Sequence, residues 1–447
     1  MDPTTDTDLP AQIAAAAAAL HGQPSDYDTL LDIVGDAHFV LLGESSHGTS
    51  EFYRARAQIT QRLIEEKNFT ALALEADWPD AYRVNRHVRG QGTDATALEA
   101  LADFRRFPAW MWRNTDVVRF VDWLRAHNQA AGPRGHVGCY GLDLYSLHTS
   151  MQAVLAYLDQ ADPAAAREAR ERYACFERFG DDLQRYGMMS SIAGMASCEH
   201  QVVSQLVELR RIAMDQRGIE GVVADDEAFF AERNAELVRN AEAYYRALFE
   251  RSVSTWNLRD QHMDETLVAL ATHLKGRAPD PKVVVWAHNS HVGDARATDM
   301  GRGGELNLGQ LVRQRHGRDA VLVGFTTHHG FVTAASAWDA PAERKAVRPG
   351  LPGSIEALFH ATGMPRFLLP LRRSGDVPDG IDAPLLQRAI GVIYLPQSER
   401  ASHYFHAELP RQFDAVIHFD QTSAVEPLER TSSWRHDELP ETWPSGL

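Results

Sequence analysis

The stretch HFVLLGESSHGTSEFYRARAQI, residues 38–59, decides how the chain is read. HFVLLGE (38–44) is a short apolar run without polar alternation, the pattern of a strand buried on both faces. From Ser50 onward Phe52, Ala55, Ile59 and then Leu63 recur at helical spacing. Between the two halves, GESSHGT sets a glycine, a carboxylate, two serines and a histidine at a strand-to-helix turn. A nucleophile elbow would require G-x-S-x-G. Around Ser46 the first glycine is replaced by Glu44, and around Ser45 the second is replaced by His47. The turn therefore departs from the serine-nucleophile pattern, and its carboxylate and imidazole become the groups of interest.

The same strand-then-helix unit recurs. TALALEADW (70–78), HVGCYGLDL (136–144), KVVVWAHNSH (282–291) and AVLVGFTTH (320–328) read as buried parallel strands, continued by RFLLPL (366–371), GVIYLP (391–396) and AVIHFD (415–420). Strands alternating with helices predict an α/β fold, a mostly parallel central sheet flanked by helices. From about Asp162 to Leu274 the alternation stops. Amphipathic patterns such as EAFFAERNAELVRNAEAYYRALFERSV (227–253) predict a large all-helical insertion there. The expected organisation is an N-terminal helical segment (1–35), a first part of the α/β core (36–160), the helical lobe (161–275) and a second part of the core (276–447). A surface helix is expected from Leu9-Pro10, and an irregular tail from Thr431, with Trp434, Pro440 and Trp443.

The charge balance narrows the function. With 45 Lys and Arg against 61 Asp and Glu, the 447-residue chain has a formal charge of −16. That field opposes nucleic acid and anionic membranes as partners, and no basic run offsets it. Cys139, Cys175 and Cys198 are an odd, widely spaced set without a C-x-x-C pair, which reads as buried reduced thiols. The N-terminus is acidic where a signal peptide is basic, and its alanine run is too short to span a bilayer. The expectation is a cytoplasmic protein, monomer or homodimer, with no nucleic-acid or membrane partner.

Several strands end in ionisable residues: Glu44 and His47, Glu75 and Asp77, Asp143, His288 and His291, His328 and His329. In open α/β sheets ligands bind beyond those ends. The hydroxyls of Ser45, Ser46, Thr49 and Ser50 are expected to shape the turn or cap the helix that follows. A helix N-terminus keeps His47 neutral, and a neutral imidazole beside a carboxylate is a competent general base. Glu75, at the end of an apolar strand, needs a partner, and Arg56 is the expected one. His288 and His291 form H-x-x-H without a helix or a third ligand, so the spacing alone is not read as a metal site. A second H-x-x-H, in SHYFH (402–406), reads as structural. Arg259 and Asp260, in NLRDQHM (257–263), lie on different helix faces. In FRRFPAWMWRN (104–114), Phe104, Phe107, Trp110 and Trp112 read first as core, with Phe107 and Trp110 as candidate lining for an apolar substrate pocket.

GESSHGT with Arg56, LALEADW with Glu75, RFPAWMWRN, NLRDQHM and WAHNSHVG, in this order, resemble the erythromycin esterase family over about residues 36–425. The resemblance implies an α/β core with a helical lobe and the hydrolytic opening of a macrolactone ester without a serine acyl-enzyme. His47 would activate water, with Glu44, Glu75, Arg56, His288 and His291 completing the catalytic set. Arg259, Asp260, Asp143, Phe107 and Trp110 are the expected substrate-binding residues. The expectation is a metal-independent esterase, without a cofactor, acting on a small-molecule ester or macrolide-like substrate. Two alternatives stand beside it: a metal-dependent hydrolase of another small ester or lactone, using His47, Glu75, His288 and His291, and a non-catalytic ligand-binding protein.

Overall fold

The run Phe39–Leu42 (β2) is buried at every position, as a strand flanked on both sides must be. In the computed structural model it pairs in parallel with Val283–Trp286 on one side and with Ala320–Ala334 on the other. The structure describes residues 9–132, 135–180, 182–192, 197–216, 222–250, 254–276, 280–372, 377–378 and 380–435.

In chain order the strands are β1 (Ala18–Ala19), β2, β3 (Ala71–Asp77), β4 (Gly138–Asp143), β5 (Val283–Trp286), β6 (Ala320–Ala334), β7 (Glu343–Val347), β8 (Arg366–Pro370), β9 (Leu385–Arg388), β10 (Tyr404–Ala407) and β11 (Ala415–Thr422). The main sheet runs β1-β8-β11-β6-β2-β5-β3-β4, with β7 attached to β6, while β9 and β10 form a separate pair. The sheet is mostly parallel, as expected, with departures at its edge. RFLLPL forms β8, yet it runs antiparallel to β11, and β1 in turn runs antiparallel to β8. GVIYLP forms no strand. It touches Ala335 through one isolated bridge at Ile393, where the Val392 carbonyl accepts from the Ala335 amide and the Tyr394 amide donates to the Ala335 carbonyl.

The chain divides into two compact units. The first runs through Leu72, takes in His87–Gly138 and resumes at Lys282; the second comprises Ala73–Arg86 and Cys139–Pro281. The first unit holds the Leu9–Ala16 helix, as expected from the sequence, anchored by buried Ile13. It also holds the helix Ser50–Lys67, which follows β2 directly. Residues 432–435 form a helical turn, and the rest of the C-terminal tail lies outside the described residues.

Between Leu147 and Lys275 the described residues of the second unit form helices and short turns, with no strand among them, as the loss of strand patterning predicts. Asp162 caps Pro163–Glu177, accepting from the Ala164 and Ala165 amides at 3.0 and 3.1 Å. The 26-residue helix Val222–Ala247 packs against Leu147–Ala161 and Glu199–Gln216. Here the cysteine expectation is corrected. Cys175 and Cys198 are joined by a disulfide, their Cα atoms 5.9 Å apart, while Cys139 is a buried thiol. Packing of the helices brings together two residues whose separation in sequence carries no pairing signal. Among the described residues no helix is long and apolar enough to cross a membrane.

Candidate active site

GESSHGT leaves the sheet between two close backbones, and its glycines make that possible. A Cβ on Gly43 would lie 2.1 Å from Asn289 Oδ1, and one on Gly48 would lie 1.8 Å from the Thr333 carbonyl oxygen. The requirement is close approach, and neither residue has positive φ. Gly48→Ala is therefore expected to destabilise the first unit by about 1–3 kcal/mol or more, since backbone rather than a flexible side chain blocks the methyl group. Urea denaturation would check this, and an unchanged midpoint would contradict it.

The serines behave differently from the capping expectation. Thr49 occupies the N-cap position of Ser50–Lys67, but its side chain makes no capping bond. Its hydroxyl is hydrogen-bonded to Ser46 instead. Ser50 donates to Asp116, and the Ser45 hydroxyl is buried with no hydrogen-bond partner among the described residues. The turn is held from its backbone: the Tyr53 hydroxyl lies 2.8 Å from the His47 carbonyl oxygen and 2.7 Å from that of Met111.

Three groups of this turn and its helix form a buried chain of charge. Glu44 Oε1 lies 2.9 Å from His47 Nδ1, and Glu44 Oε2 lies 2.5 Å from an Arg56 guanidinium nitrogen. Arg56 is fully buried, with its guanidinium over the rings of Tyr53 and Trp286 at 4.6 and 5.0 Å. Those faces stabilise a cation that water cannot reach. Arg56 was expected to pair with Glu75, and the structure corrects this: its carboxylate partner is Glu44, in the turn that precedes its own helix.

β5 contributes the second imidazole. After Trp286 the chain turns into the short helix Asn289–Val292, so His288 and His291 lie at its N-cap and third position, both buried. The Ser290 amide donates to His288 Nδ1 at 3.2 Å, and the Ser290 hydroxyl lies 2.8 Å from the same nitrogen. An amide can only donate, so Nδ1 accepts and the neutral ring carries its proton on Nε2. The rings of His47 and His288 are 4.9 Å apart, tilted by 48°. Asn289 fixes this turn to β6, donating to the Phe325 carbonyl at 2.7 Å and accepting from the Phe325 amide at 3.2 Å.

Phe107 and Trp110 also belong to the first unit. Trp110 is core, as is Trp112, whereas Phe107 is half-buried against the exposed ring of Trp338, 5.0 Å away. SHYFH is structural here, as expected: it runs into β10, and His406 is bonded to Asp299.

In the second unit, Arg259 gathers the carboxylates. Its guanidinium donates to Asp143 at 3.0 and 2.7 Å and to Glu75 at 2.7 Å, and it lies 5.0 Å from the Tyr145 ring centre. Burial opposes the Arg259 charge, but Asp143, Tyr145 and Glu75 outweigh it and hold the guanidinium firmly protonated. Burial keeps the Tyr145 hydroxyl protonated as well. Asp260, the next residue, is fully buried. One turn on, burial pushes His262 down to about 3, so it is a neutral ring, bonded to Asn240 at 2.8 Å.

Among the described residues, the grouping of His, Cys, Asp or Glu close enough to share an ion is His328, His329 and Asp420. The two histidines lie within β6, which continues to Ala334 and does not end at His328 as the sequence suggests, and Asp420 lies near the end of β11. His288 and His291 are not part of it.

A family model described as Erythromycin esterase matches residues 64–422. The chain belongs to the erythromycin esterase family. The match begins inside the helix Ser50–Lys67, so Glu44, His47 and Arg56 lie just ahead of it. The chain is also 23% identical over 419 residues to erythromycin esterase type II of Escherichia coli, covering 90% of this chain and 93% of that protein. Its fold is similar to the crystal structure of a succinoglycan biosynthesis protein, with a TM-score of 0.75 and 21% identity over 95% of this chain and all of that one. It is similar also to an erythromycin esterase mutant, EreC, in its open conformation, with a TM-score of 0.62 and 17% identity over 91% of this chain and 95% of that one. Membership of the family supports a hydrolase acting on ester bonds, and the α/β fold with its mostly parallel sheet is that of these structures.

The residues that sequence reasoning missed are the supports. Tyr53 and Trp286 enclose Arg56, Asn289 locks the second turn, and Ser290 sets the proton on His288. Ser290 stood inside WAHNSHVG, but nothing in a linear reading shows that its backbone amide reaches back to the His288 ring.

Proposed function

We propose that the protein is a metal-independent esterase in which His47 activates water against an ester or macrolactone carbonyl. The supporting observation is that its two neighbouring imidazoles carry opposite proton roles. An ionised Glu44 accepts Nδ1–H from His47, which leaves His47 Nε2 with a lone pair for a water proton. His288, accepting at Nδ1, presents N–H at Nε2. One ring is set as base and the other as donor.

The reaction then balances within the first unit. His47 Nε2 takes a proton from water as the oxygen attacks the carbonyl carbon. Glu44 stabilises the imidazolium that forms, as a carboxylate does for the histidine of a triad. The His288 Nε2–H stabilises the developing oxyanion. Collapse of the tetrahedral intermediate breaks the acyl–oxygen bond, and the proton held on His47 passes to the leaving alkoxide. Arg56 acts through Glu44, fixing its carboxylate by the buried ion pair. Glu75 and His291 keep their expected places in the catalytic set, and Phe107, Trp110 and the Arg259–Asp143–Asp260 region their expected binding roles, with a macrolide-like or smaller lactone as the substrate class.

Purified protein is incubated with a panel of macrolides, simple lactones and acyl esters, and mass spectrometry reads the gain of one water. Hydrolysis of at least one class is expected. Ser46→Ala is expected to retain activity within a few fold, because the Ser46 hydroxyl is engaged by Thr49 in the turn. An inactive Ser46→Ala together with an acyl adduct on the wild-type protein would overturn the mechanism, and no turnover of any substrate would favour a binding protein.

A further inference from the structure

We propose that His328, His329 and Asp420 form a binding site for one divalent transition-metal ion, of the zinc, cobalt or nickel type. Consecutive residues on a regular strand point to opposite faces. Here His328 Nδ1 and His329 Nδ1 are 3.1 Å apart, so the strand brings two imidazole nitrogens to one point. The three residues each offer one ligand atom, and these atoms lie within 4.8 Å of one another. Two nitrogens bound to a tetrahedral zinc at about 2.0–2.1 Å stand about 3.3 Å apart, close to the spacing seen. The chain has thus nearly closed the ligand geometry, with one Nδ1–H proton bridging where an ion would sit.

The surroundings hold these ligands as a metal site requires. His360 Nδ1 donates to Asp420 Oδ1 at 2.7 Å, fixing the carboxylate, and its ring stacks on His328 with centroids 3.9 Å apart and planes 4° apart. Ligands oriented by a second layer of hydrogen bonds and packing are characteristic of built metal centres. His328 is packed against Gly350, where an added Cβ would meet the ring at 3.0 Å. The nearby cation, Arg388, donates to the Thr327 and His328 carbonyls but is paired with Glu399 at 3.0 Å, so it does not present an uncompensated charge to the ion. Two imidazoles and a carboxylate suit borderline ions and not calcium or magnesium, and three protein ligands leave a position open for water or another ligand. The His360 side chain, 51% exposed, marks the side from which an ion enters. The site shares no residue with the Glu44–His47–Arg56 chain, so it stands whether or not the esterase reading does.

Full-length protein without a polyhistidine tag is stripped with a chelator and titrated with Co(II), read by visible absorption, and with Zn(II), read by calorimetry. One equivalent is expected to bind, with the intense visible bands of a tetrahedral cobalt site. His329→Gln and Asp420→Asn are each expected to weaken binding by more than about tenfold, and His47→Ala to leave it unchanged. Near-UV circular dichroism of each variant separates lost ligation from lost folding, and His329→Gln alone decides if Asp420→Asn does not fold. Absence of stoichiometric binding overturns the proposal. So does binding that survives His329→Gln and Asp420→Asn in folded protein, or that is lost in His47→Ala.

Discussion

Replacement of His47 by alanine is expected to lower ester hydrolysis by about 10²–10⁴-fold, the usual contribution of a positioned general base. That corresponds to about 2.7–5.4 kcal/mol of transition-state stabilisation. The loss should fall on kcat, because the base acts on water only as the carbonyl is attacked and contributes little to substrate binding. Truncation removes the lone pair but leaves the turn: Gly43 and Gly48 still seat it, and Tyr53 bonds to the His47 carbonyl rather than to its ring. Folding should accordingly be retained, and kinetics on circular-dichroism-matched protein will read chemistry alone. Activity within a few fold of wild type would exclude His47 as the base.

Glu44→Gln is expected to damage stability and activity together. Gln keeps the shape of the side chain and removes the charge that compensates Arg56, a guanidinium with no solvent exposure. Removing one partner of a buried ion pair costs about 3–5 kcal/mol, because the remaining charge has nowhere to go. The amide also ceases to stabilise a His47 imidazolium, and loss of the carboxylate of a triad lowers kcat by up to about 10⁴. A second substitution separates the two effects. In Glu44→Gln/Arg56→Met the buried charge is gone and the thioether packs between Tyr53 and Trp286, which suits it. Urea denaturation should show most of the stability restored, while turnover remains at the level of Glu44→Gln. Recovery of both would mean that Glu44 serves the fold and not the reaction.

The strands of this molecule could be read from sequence because parallel strands buried on both faces must be apolar along their whole length, and FVLL and VVVW are. LLQR could not, since Gln387 and Arg388 are buried polar residues, and Arg388 is held by distant groups such as the Thr327 and His328 carbonyls. GVIYLP failed in the opposite sense: it is apolar but forms no strand, and of its side chains Tyr394 is buried while Leu395 is exposed. At the site, residue types were legible and pairings were not. Glu44 and His47 are three apart, and their contact follows from the turn. Arg56 could answer to either Glu44 or Glu75 in a linear account, and only the folded helix shows it beside Glu44. His328 and His329 were read as a strand end, whereas β6 continues past them to Ala334; Asp420 and His360 are remote in sequence, so the grouping existed only as topology. The same holds for Cys175 and Cys198, which two helices bring together.

The two glycines of GESSHGT also bear on how such a site can be redesigned. Gly43 is seated against the side chain that locks the His288 turn to β6, and Gly48 against the backbone of β6 near its end. The loop is therefore indexed at both ends to the same neighbouring strand, and it cannot be lengthened or transplanted without carrying Asn289 and Thr333 along. On the proposed assignment of Phe107 to substrate binding, attempts to change substrate preference should leave residues 43–48 untouched and vary Phe107 and its neighbour Trp338. Chemistry and selectivity would on that assignment be separable by engineering, because different parts of the chain would answer for each.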